Sequence, residues 1–481
     1  MIIPSLTTTA PTGTSPAAAA LSAARRAALM KSRSFPGTRI FIVNRILPST
    51  GRQGQYLFPS RPIGPIILGN PREERRMDSF ECLACGPVDV RGSFSPFCPG
   101  CREPLFVSRP ERSGRRAIRE RAGSAIEKFL DFLPLSSFDP KLSLGEGDTP
   151  LLPLDRLGPK IGLSRAFAKN EAQNPTGSFK DRGTAVAVQK AVASGFKRIG
   201  TVSTGNMAAS TAAYGARAGL ETFVLLKEGT SAVALQASGI YGPHLITVDG
   251  DYGALFHKSL EVGGRLGISF MNSIDPFRME GYKVTGYEIF LQLGRRAPRF
   301  ILVPLSSGGH LLGLMRAFED LEREGLIADF PTFVGVQALG CAPLVRAFEA
   351  GLPTYERLKE ARTLAHAISN PAPPAGNTVL TMIRARAGRL VAVSDEEMLE
   401  AHQELAVNEG LCCQPESATT AAALKKLAGS GVIGPGDEAV IVLTGSGLKT
   451  PLASGPSPSR LHRMTLTDLD SQLFGLLRSK M

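Results

Sequence analysis

The sequence predicts an α/β protein built on mostly parallel β-sheets. Short runs rich in Val and Ile alternate with helical stretches over about 300 residues after Leu144, and this alternation is typical of parallel sheets covered by helices on both faces. Helix starts agree with the pattern, because Ser394 is followed three residues later by Glu397 in a capping-box arrangement. The predicted strands are residues 199–203, 222–226, 245–248, 300–305, 332–337, 390–393 and 439–443.

The composition is that of a soluble globular protein. The 481 residues are 43% hydrophobic and 20% charged, and no continuous apolar run is long enough for a transmembrane helix, so we expect no membrane partner. The net charge of +12 is concentrated in residues 1–76, which hold eleven basic and two acidic residues. The rest of the chain is nearly balanced and predicts no nucleic-acid partner. Seven unevenly spaced cysteines do not form a secreted disulfide scaffold, so we expect a cytoplasmic protein.

Residues 1–76 are rich in Ala, Ser, Thr, Pro and Arg, and we expect them to be disordered. This composition is typical of an organelle transit peptide, but the segment could equally be an upstream extension read before a start at Met77. We favour the second interpretation, because a compact cysteine motif follows directly.

Four cysteines define a small module at residues 77–106. Two Cys-x-x-Cys pairs, separated by twelve residues, can place four thiolates around one zinc ion and so stabilise a segment with little core of its own. Because all four positions hold cysteine, the predicted zinc is structural. Disulfides, or a degenerated site that binds no metal, are the alternatives. The cysteines are Cys82, Cys85, Cys98 and Cys101.

The rest of the chain divides into three predicted regions. Residues 107–141 are expected to form a helical linker, with a charged helix at 111–132, and residues 142–455 the main body. The tail, 456–481, begins with a Pro/Ser linker. It ends in a short helix with four leucines on one face, Leu466, Leu469, Leu473 and Leu476.

Lys180, in the segment 174–183, is the first candidate for chemistry. Taken alone, it is most simply a solvated lysine at a helix start, with Ser178 as the cap and Asp181 in the first turn. A covalent role toward an aldehyde requires that part of the amine be neutral, which burial or a nearby cation can achieve.

Three loops follow predicted strands, at the sheet edge where parallel α/β proteins bind ligands. The loop at residues 306–310 is suited to bind a phosphate, as a phosphate cradle, because paired glycines let backbone N–H groups converge at a helix start. No Walker motif and no GxGxxG opening the first strand-helix unit occur in the sequence, so an anion cradle together with a candidate Schiff-base lysine points to pyridoxal phosphate. The loops are Thr204-Gly205-Asn206, Ser306-Ser307-Gly308-Gly309-His310 and Thr444-Gly445-Ser446-Gly447.

Five segments together resemble the fold type II pyridoxal-phosphate enzymes, and most closely the threonine synthase family. They lie at residues 144–151, 169–183, 203–206, 272–283 and 444–449, so the resemblance covers roughly residues 142–450. It implies two open, mostly parallel α/β domains behind a small zinc ribbon, a mobile subdomain at about 190–290, and a homodimer. The implied reaction converts O-phosphohomoserine, a phosphorylated amino acid, and water into threonine and phosphate.

The resemblance also implies roles for single residues. Lys180 would form the internal aldimine and act as the main acid and base, Asn206 would bond the cofactor's 3′-oxygen, and Thr444 would face its pyridine nitrogen. The cofactor phosphate would be bound by Ser306, Ser307, Gly308, Gly309 and His310. The substrate would be bound by Ser203, Thr204, Asn272, Ser273 and Arg278, the arginine because its planar donors can hold two phosphate oxygens.

Several residues depart from the family's pattern. The phosphate loop usually reads like Gly-Asn-Ala-Gly-Asn, and Thr450 stands where Asp is usual. Residues 412–418 resemble the family's Pro-Ala-Ser-Ala region, but Glu416 is unusual there. We expect His310 to hydrogen-bond a neighbouring loop, with a catalytic or phosphate contact as the alternative. The departures keep open a cysteate synthase, a serine/threonine dehydratase or another β-replacing enzyme, and also a catalytically inactive zinc-ribbon binding or regulatory paralogue.

Overall fold

A computed structural model describes residues 40–42, 78–90, 95–108, 116–120, 122–230, 232–450 and 464–478. The strands are β1 (Ile40–Ile42), β2 (Phe80–Cys82), β3 (Gly86–Val88), β4 (Phe106–Val107), β5 (Leu151–Pro153), β6 (Arg165–Asn170), β7 (Arg198–Val202), β8 (Glu221–Lys227), β9 (His244–Val248), β10 (Ser269–Phe270), β11 (Phe300–Pro304), β12 (Thr332–Ala338), β13 (Arg389–Val393) and β14 (Glu438–Leu443).

Helices cover the sheets and join their strands. They are α1 (Ala125–Lys128), α2 (Leu157–Lys160), α3 (Lys180–Ala193), α4 (Asn206–Arg217), α5 (Ala232–Gly239), α6 (Tyr252–Leu266), α7 (Pro276–Gln292), α8 (Gly309–Arg323), α9 (Pro343–Glu349), α10 (Gly376–Ala385), α11 (Asp395–Glu409), α12 (Pro415–Gly429) and α13 (Leu469–Arg478). Among these described helices, none combines the length and the hydrophobicity that a membrane crossing requires.

Two sheets organise the body. One has five parallel strands in the order β1-β9-β8-β7-β10. The other has the order β13-β12-β11-β14-β6-β5, and within it only β5 runs antiparallel to its neighbour. The predicted α/β class is therefore confirmed, and each of the seven predicted strands is present with ends within one residue of the prediction.

The capping box predicted at α11 is also confirmed. The Ser394 hydroxyl accepts a hydrogen bond from the Glu397 N–H at 3.1 Å, and the Glu397 carboxylate accepts one from the Ser394 N–H at 2.7 Å. Both bonds satisfy N–H groups that a helix start leaves without intrahelical partners.

A buried charge cluster fixes the start of α3 against β6 and α7. The Arg182 guanidinium donates to the carboxylates of Glu171 and Glu288, and the Lys169 amine donates to Glu288 at 2.6 Å. Behind it the two helices touch, because a Cβ added to Gly281 of α7 would lie 2.3 Å from the Arg182 carbonyl oxygen in α3. Only glycine permits this approach, and the contact fixes the position of the first turn of α3.

The cysteine module forms its own antiparallel sheet in the order β3-β2-β4 and packs on the body. The Phe80 ring meets the Phe277 ring edge-on at 5.9 Å, and Asp78 forms an ion pair with Lys190 of α3 at 2.6 Å. The module is thus held against the helices that cover the sheets.

Two regions differ from their predictions. Residues 111–132 were expected to form one charged helix, but their described part has only α1 and a 3₁₀ turn at Leu130–Phe132, because apolar residues there pack into the core instead of lying on an exposed helix face. Within the extension predicted to be disordered, Ile40–Ile42 pairs with the edge of β9; the rest of residues 1–76 lies outside the described residues. The tail contains the expected short helix, α13, and its Leu469, Leu473 and Phe474 are exposed.

Candidate active site

Lys180 is the first residue of α3, and the segment before it is held by the loop after β14. The Phe179 N–H donates to the Thr444 carbonyl at 3.0 Å, and the Ser446 N–H donates to the Gly177 carbonyl at 2.9 Å. These bonds bring together two of the predicted site segments that are about 270 residues apart in the sequence.

The Lys180 amine lies in an apolar and electropositive setting. Its nitrogen is 4.3 Å from the centroid of the Phe179 ring, and the side chain is half-buried. Burial, and secondarily the positive charge of Arg278, lower the pKa of Lys180 from 10.5 to about 7. About half of the amine is then neutral near pH 7. The structure therefore does not support the interpretation of Lys180 as an ordinary solvated lysine.

Arg278 is buried in α7 and held by three hydrogen bonds. Its Nε donates to the Met271 carbonyl at 2.7 Å, one terminal nitrogen to the Thr184 hydroxyl at 2.8 Å, and the other to the Thr211 hydroxyl at 2.6 Å. A guanidinium has five N–H donors, so these bonds leave one N–H on each terminal nitrogen. The guanidinium is therefore held in one orientation, with one further N–H on each terminal nitrogen.

The loop from β11 to α8 has the geometry of an anion cradle. Gly308 precedes α8 with a φ of 98°, and Gly309 begins the helix, so backbone N–H groups gather at its positive end. The Ser307 carbonyl accepts a hydrogen bond from the Ala375 N–H at 3.1 Å. A Cβ on Gly308 would lie 2.9 Å from both Ala375 and Val379, so the loop is closely backed by the start of α10.

His310, the second residue of α8, packs against two aromatic rings. Its ring stacks on the Phe179 ring at 3.8 Å and meets the Tyr282 ring edge-on at 5.4 Å. Among the described residues, neither ring nitrogen has a hydrogen-bond partner, so the expected bond to a neighbouring loop is absent. Burial, and then the charge of Lys180, hold the pKa of His310 well below its usual value, which keeps the imidazole neutral.

The segment at the start of α12 holds two of the predicted cofactor contacts. The Asn206 side-chain N–H donates to Gln414 at 2.6 Å, and Gln414 in turn donates to the Thr450 hydroxyl at 2.9 Å. The Thr444 hydroxyl shares a hydrogen bond of 2.8 Å with the Ser417 hydroxyl. Both side chains therefore lie at the ends of β7 and β14 in fixed orientations.

The residues predicted to bind substrate lie at the ends of β7 and β10. The Ser203 hydroxyl accepts from the Gly205 N–H at 3.2 Å, whereas Thr204 is exposed. Asn272 is buried, and its amide accepts from the Val202 N–H at 2.9 Å and donates to Ser259. Both the oxygen and the nitrogen of the Asn272 amide therefore form hydrogen bonds within the protein, and the first of them fixes the end of β7. Ser273 lies beside the cradle, since a Cβ on Gly309 would be 2.7 Å from the Ser273 carbonyl oxygen.

The four cysteines of the module converge. Their sulfur atoms all lie within 4.8 Å of one another, and the sulfurs of Cys82 and Cys101 are 3.4 Å apart. Four thiolates around zinc at about 2.3 Å would be roughly 3.8 Å from one another, so the cluster has the dimensions of a closed tetrahedral site.

Sequence reasoning did not single out several residues that shape the site. Thr184 lies one helical turn after Lys180, and Thr211 lies on α4, yet neither carries a motif that predicts a bond to Arg278. Ser417 lies in residues 412–418, which resemble a family segment, and this signal could have identified it as a partner of Thr444.

Comparisons with known proteins agree with this geometry. The sequence pattern of the family described as pyridoxal-phosphate dependent enzyme matches residues 142–445. Threonine synthase of Methanocaldococcus jannaschii is 38% identical over 378 residues, which are 78% of this chain and 93% of that protein. Threonine synthase of Methanosarcina acetivorans is 34% identical with the same coverage. The processed threonine deaminase isoform 2 of Solanum lycopersicum, 18% identical, shares the fold with a TM-score of 0.54 over 68% of this chain and 83% of that one.

Proposed function

We propose threonine synthase activity for this chain, which belongs to the pyridoxal-phosphate-dependent enzymes and, within them, to the threonine synthase family. The proposed reaction converts O-phosphohomoserine and water into threonine and phosphate. Lys180 carries the proposal. A partly neutral amine beside a buried arginine and a glycine-lined helix start is suited to hold an aldehyde and to move protons at a neighbouring carbon.

The residues around Lys180 suit pyridoxal phosphate as the cofactor. Lys180 would hold its aldehyde carbon, and the second side-chain N–H of Asn206 would donate to its 3′-oxygen. The phosphate would rest on the cradle of Ser306, Ser307, Gly308, Gly309 and His310, the last through its backbone N–H.

Thr444 would face the pyridine nitrogen of the cofactor. Because its hydroxyl also shares a hydrogen bond with Ser417, it can donate or accept there, and it does not enforce a protonated pyridinium as an aspartate would. When bound, the cofactor supplies an electron sink for negative charge on substrate carbons. The neutral amine of Lys180 would remove and return protons at these carbons.

The substrate phosphate would be bound by Arg278. Each of its terminal nitrogens keeps one further N–H, and a planar arginine fork can hold two phosphate oxygens. Ser203, Thr204 and Ser273 would contribute hydroxyls, and Asn272 its remaining N–H. The same positive charge that lowers the pKa of Lys180 would thus attract the substrate.

We also propose a structural zinc ion at Cys82, Cys85, Cys98 and Cys101, since their convergence fits a closed four-thiolate site. A homodimer, a cytoplasmic location and closure of a small subdomain at about 190–290 over the substrate complete the proposal. That range contains β7 to β10, which are four of the strands of the five-stranded sheet.

Phosphate release from O-phosphohomoserine, compared with release from O-phosphoserine, tests the proposed reaction. We expect phosphate and threonine from the first substrate in equal amounts, and Lys180→Ala should abolish both this release and the Schiff-base absorbance. Thr204→Ala, at an exposed predicted contact, should retain the absorbance and raise KM. Formation of cysteate from phosphoserine and sulfite, or of a keto acid from serine or threonine, would contradict the proposed substrate. A wild-type protein that stays colourless with added pyridoxal phosphate would contradict the cofactor.

A further inference from the structure

The cysteine module contacts both helices that back the phosphate cradle. Glu81 directly precedes Cys82, and its carboxylate accepts a hydrogen bond of 2.6 Å from Arg316 of α8. Glu103 follows Cys101 by two residues and reaches α10. Glu81 and Glu103, which lie next to or near two of the four cysteines, therefore form hydrogen bonds with α8 and α10, the two helices that begin beside the cradle.

Glu103 binds the first turn of α10. Its carboxylate accepts hydrogen bonds from the Asn377 side-chain nitrogen at 3.0 Å and from the Thr378 hydroxyl at 2.6 Å. The residue before α10, Ala375, has no side chain that could cap the helix. A carboxylate at this end is favourable, because the first turn of a helix carries a partial positive charge.

The start of α10 in turn holds the cradle. The Ala375 N–H donates to the Ser307 carbonyl, and Gly308 lies so close to Ala375 and Val379 that a Cβ would clash with both. A displacement of this turn would therefore change the cradle directly. No flexible side chain intervenes between the turn and the backbone of residues 307 and 308.

The backbone of Glu103 is itself part of a cysteine knuckle. Its carbonyl accepts a hydrogen bond of 2.8 Å from the Cys98 N–H, and Arg102 between them adopts a φ of 66°, which a tight knuckle requires. A metal ion held by the four sulfurs would stabilise this turn, since the module has few other buried residues to hold it.

We propose that Glu103 is a positioning residue for the cofactor-phosphate cradle. The cysteine knuckle, which a bound metal would stabilise, fixes the backbone of Glu103. The Glu103 carboxylate fixes the start of α10, and the start of α10 sets the positions of Ser307 and Gly308. The inference rests on the proposed function for the identity of the anion and the metal. The mechanical link between the module and residues 306–309 does not depend on either identity.

The test compares three variants of the full chain with the wild type. Glu103→Ala removes the carboxylate, and Thr378→Val removes its partner on α10 while leaving the module intact. Asp78→Ala is the matched control, because it breaks a different contact between module and body, the ion pair with Lys190 at the far end of α3. Hydrogen exchange of peptides covering residues 305–310 and 375–380 is measured together with zinc content and pyridoxal-phosphate affinity.

We expect Glu103→Ala and Thr378→Val to increase exchange in both peptides and to raise the dissociation constant for pyridoxal phosphate, about tenfold for Glu103→Ala. Asp78→Ala should do neither, and at saturating cofactor the turnover number of all three should approach that of the wild type. Unchanged exchange at residues 306–309 in Glu103→Ala or in Thr378→Val would overturn the inference. If exchange rises but the wild type forms no Schiff base, the proposed cofactor fails and the link between Glu103 and the cradle stands.

Discussion

Replacing Arg278 with methionine should raise the pKa of Lys180. A cation near an amine disfavours its protonated form, so removing the cation stabilises the ammonium. The pKa of Lys180 is about 7, with the Arg278 charge as its second cause after burial. A nearby charge typically changes a pKa by one to three units, and a rise to about 8 would reduce the neutral fraction at pH 7 from about one half to about one eleventh. The rate of Schiff-base formation should then fall about fivefold.

The rate is measured by mixing cofactor-free enzyme with excess pyridoxal phosphate and following absorbance between pH 5.5 and about 9.5. In the wild type it should rise with pH through about 7 and then level off. In Arg278→Met the midpoint should move upward, so that the two proteins differ at neutral pH and converge at high pH. The midpoint does not depend on how much of the variant is folded, which separates charge from stability.

Thr211→Val is the matched control for this experiment. It breaks one of the three hydrogen bonds of Arg278 but leaves the positive charge in place. Its midpoint should remain near that of the wild type. Coincident midpoints for Arg278→Met and the wild type would refute the electrostatic argument, and a wild-type midpoint near 10 would refute the role of burial as well.

Three further predictions concern the cradle, the charge cluster and the metal site. Gly308→Ala should weaken pyridoxal-phosphate binding at least tenfold in an absorbance titration, because its Cβ would lie 2.9 Å from two carbons and its φ is 98°. Glu288→Gln should lower the free energy of unfolding by about 3–5 kcal/mol in urea at pH 7, because Arg182 and Lys169 would lose a buried partner. Burial alone would raise the pKa of Glu288, but these two cations lower it from 4.5 to about 2, so its stabilising effect should be complete above about pH 5 and be lost progressively as the pH falls to about 2. Purified protein should contain one zinc per chain, and Cys98→Ser should lower both zinc content and Tm.

Each of these variants has a control elsewhere in the chain. Gly431→Ala has a similar positive φ but open space around it, so it should leave cofactor affinity unchanged. Glu261→Gln alters an exposed pair with Lys258 and should leave the free energy of unfolding nearly unchanged. Cys341→Ser should retain full zinc. If a variant and its control change the measured quantity equally, the contact proposed for that variant is contradicted.

The strands could be predicted because each is a short, largely apolar run, and two of them, β11 and β14, are buried along their whole length. β6 was missed because its residues Arg165–Asn170 include two basic side chains, and Lys169 is buried through partners elsewhere in the chain, Glu288, Thr149 and Gln292. β10 was missed because two residues carry no periodicity. The helix predicted at 111–132 failed because tertiary packing, and not local periodicity, governs that segment.

By itself, the sequence determined the fold class, the positions of the main strands and the order of the loops that carry Lys180, Asn206 and Thr444. These features depend on local composition and spacing, which are readable along the chain. Only the tertiary structure decided which side chains meet, as between Glu103 and Thr378, 275 residues apart. Likewise, the low pKa of Lys180 depends on burial and on the charge of Arg278, whose nearness follows from glycine-mediated contact between α3 and α7. Burial and Coulomb forces act through space, so linear spacing cannot supply them.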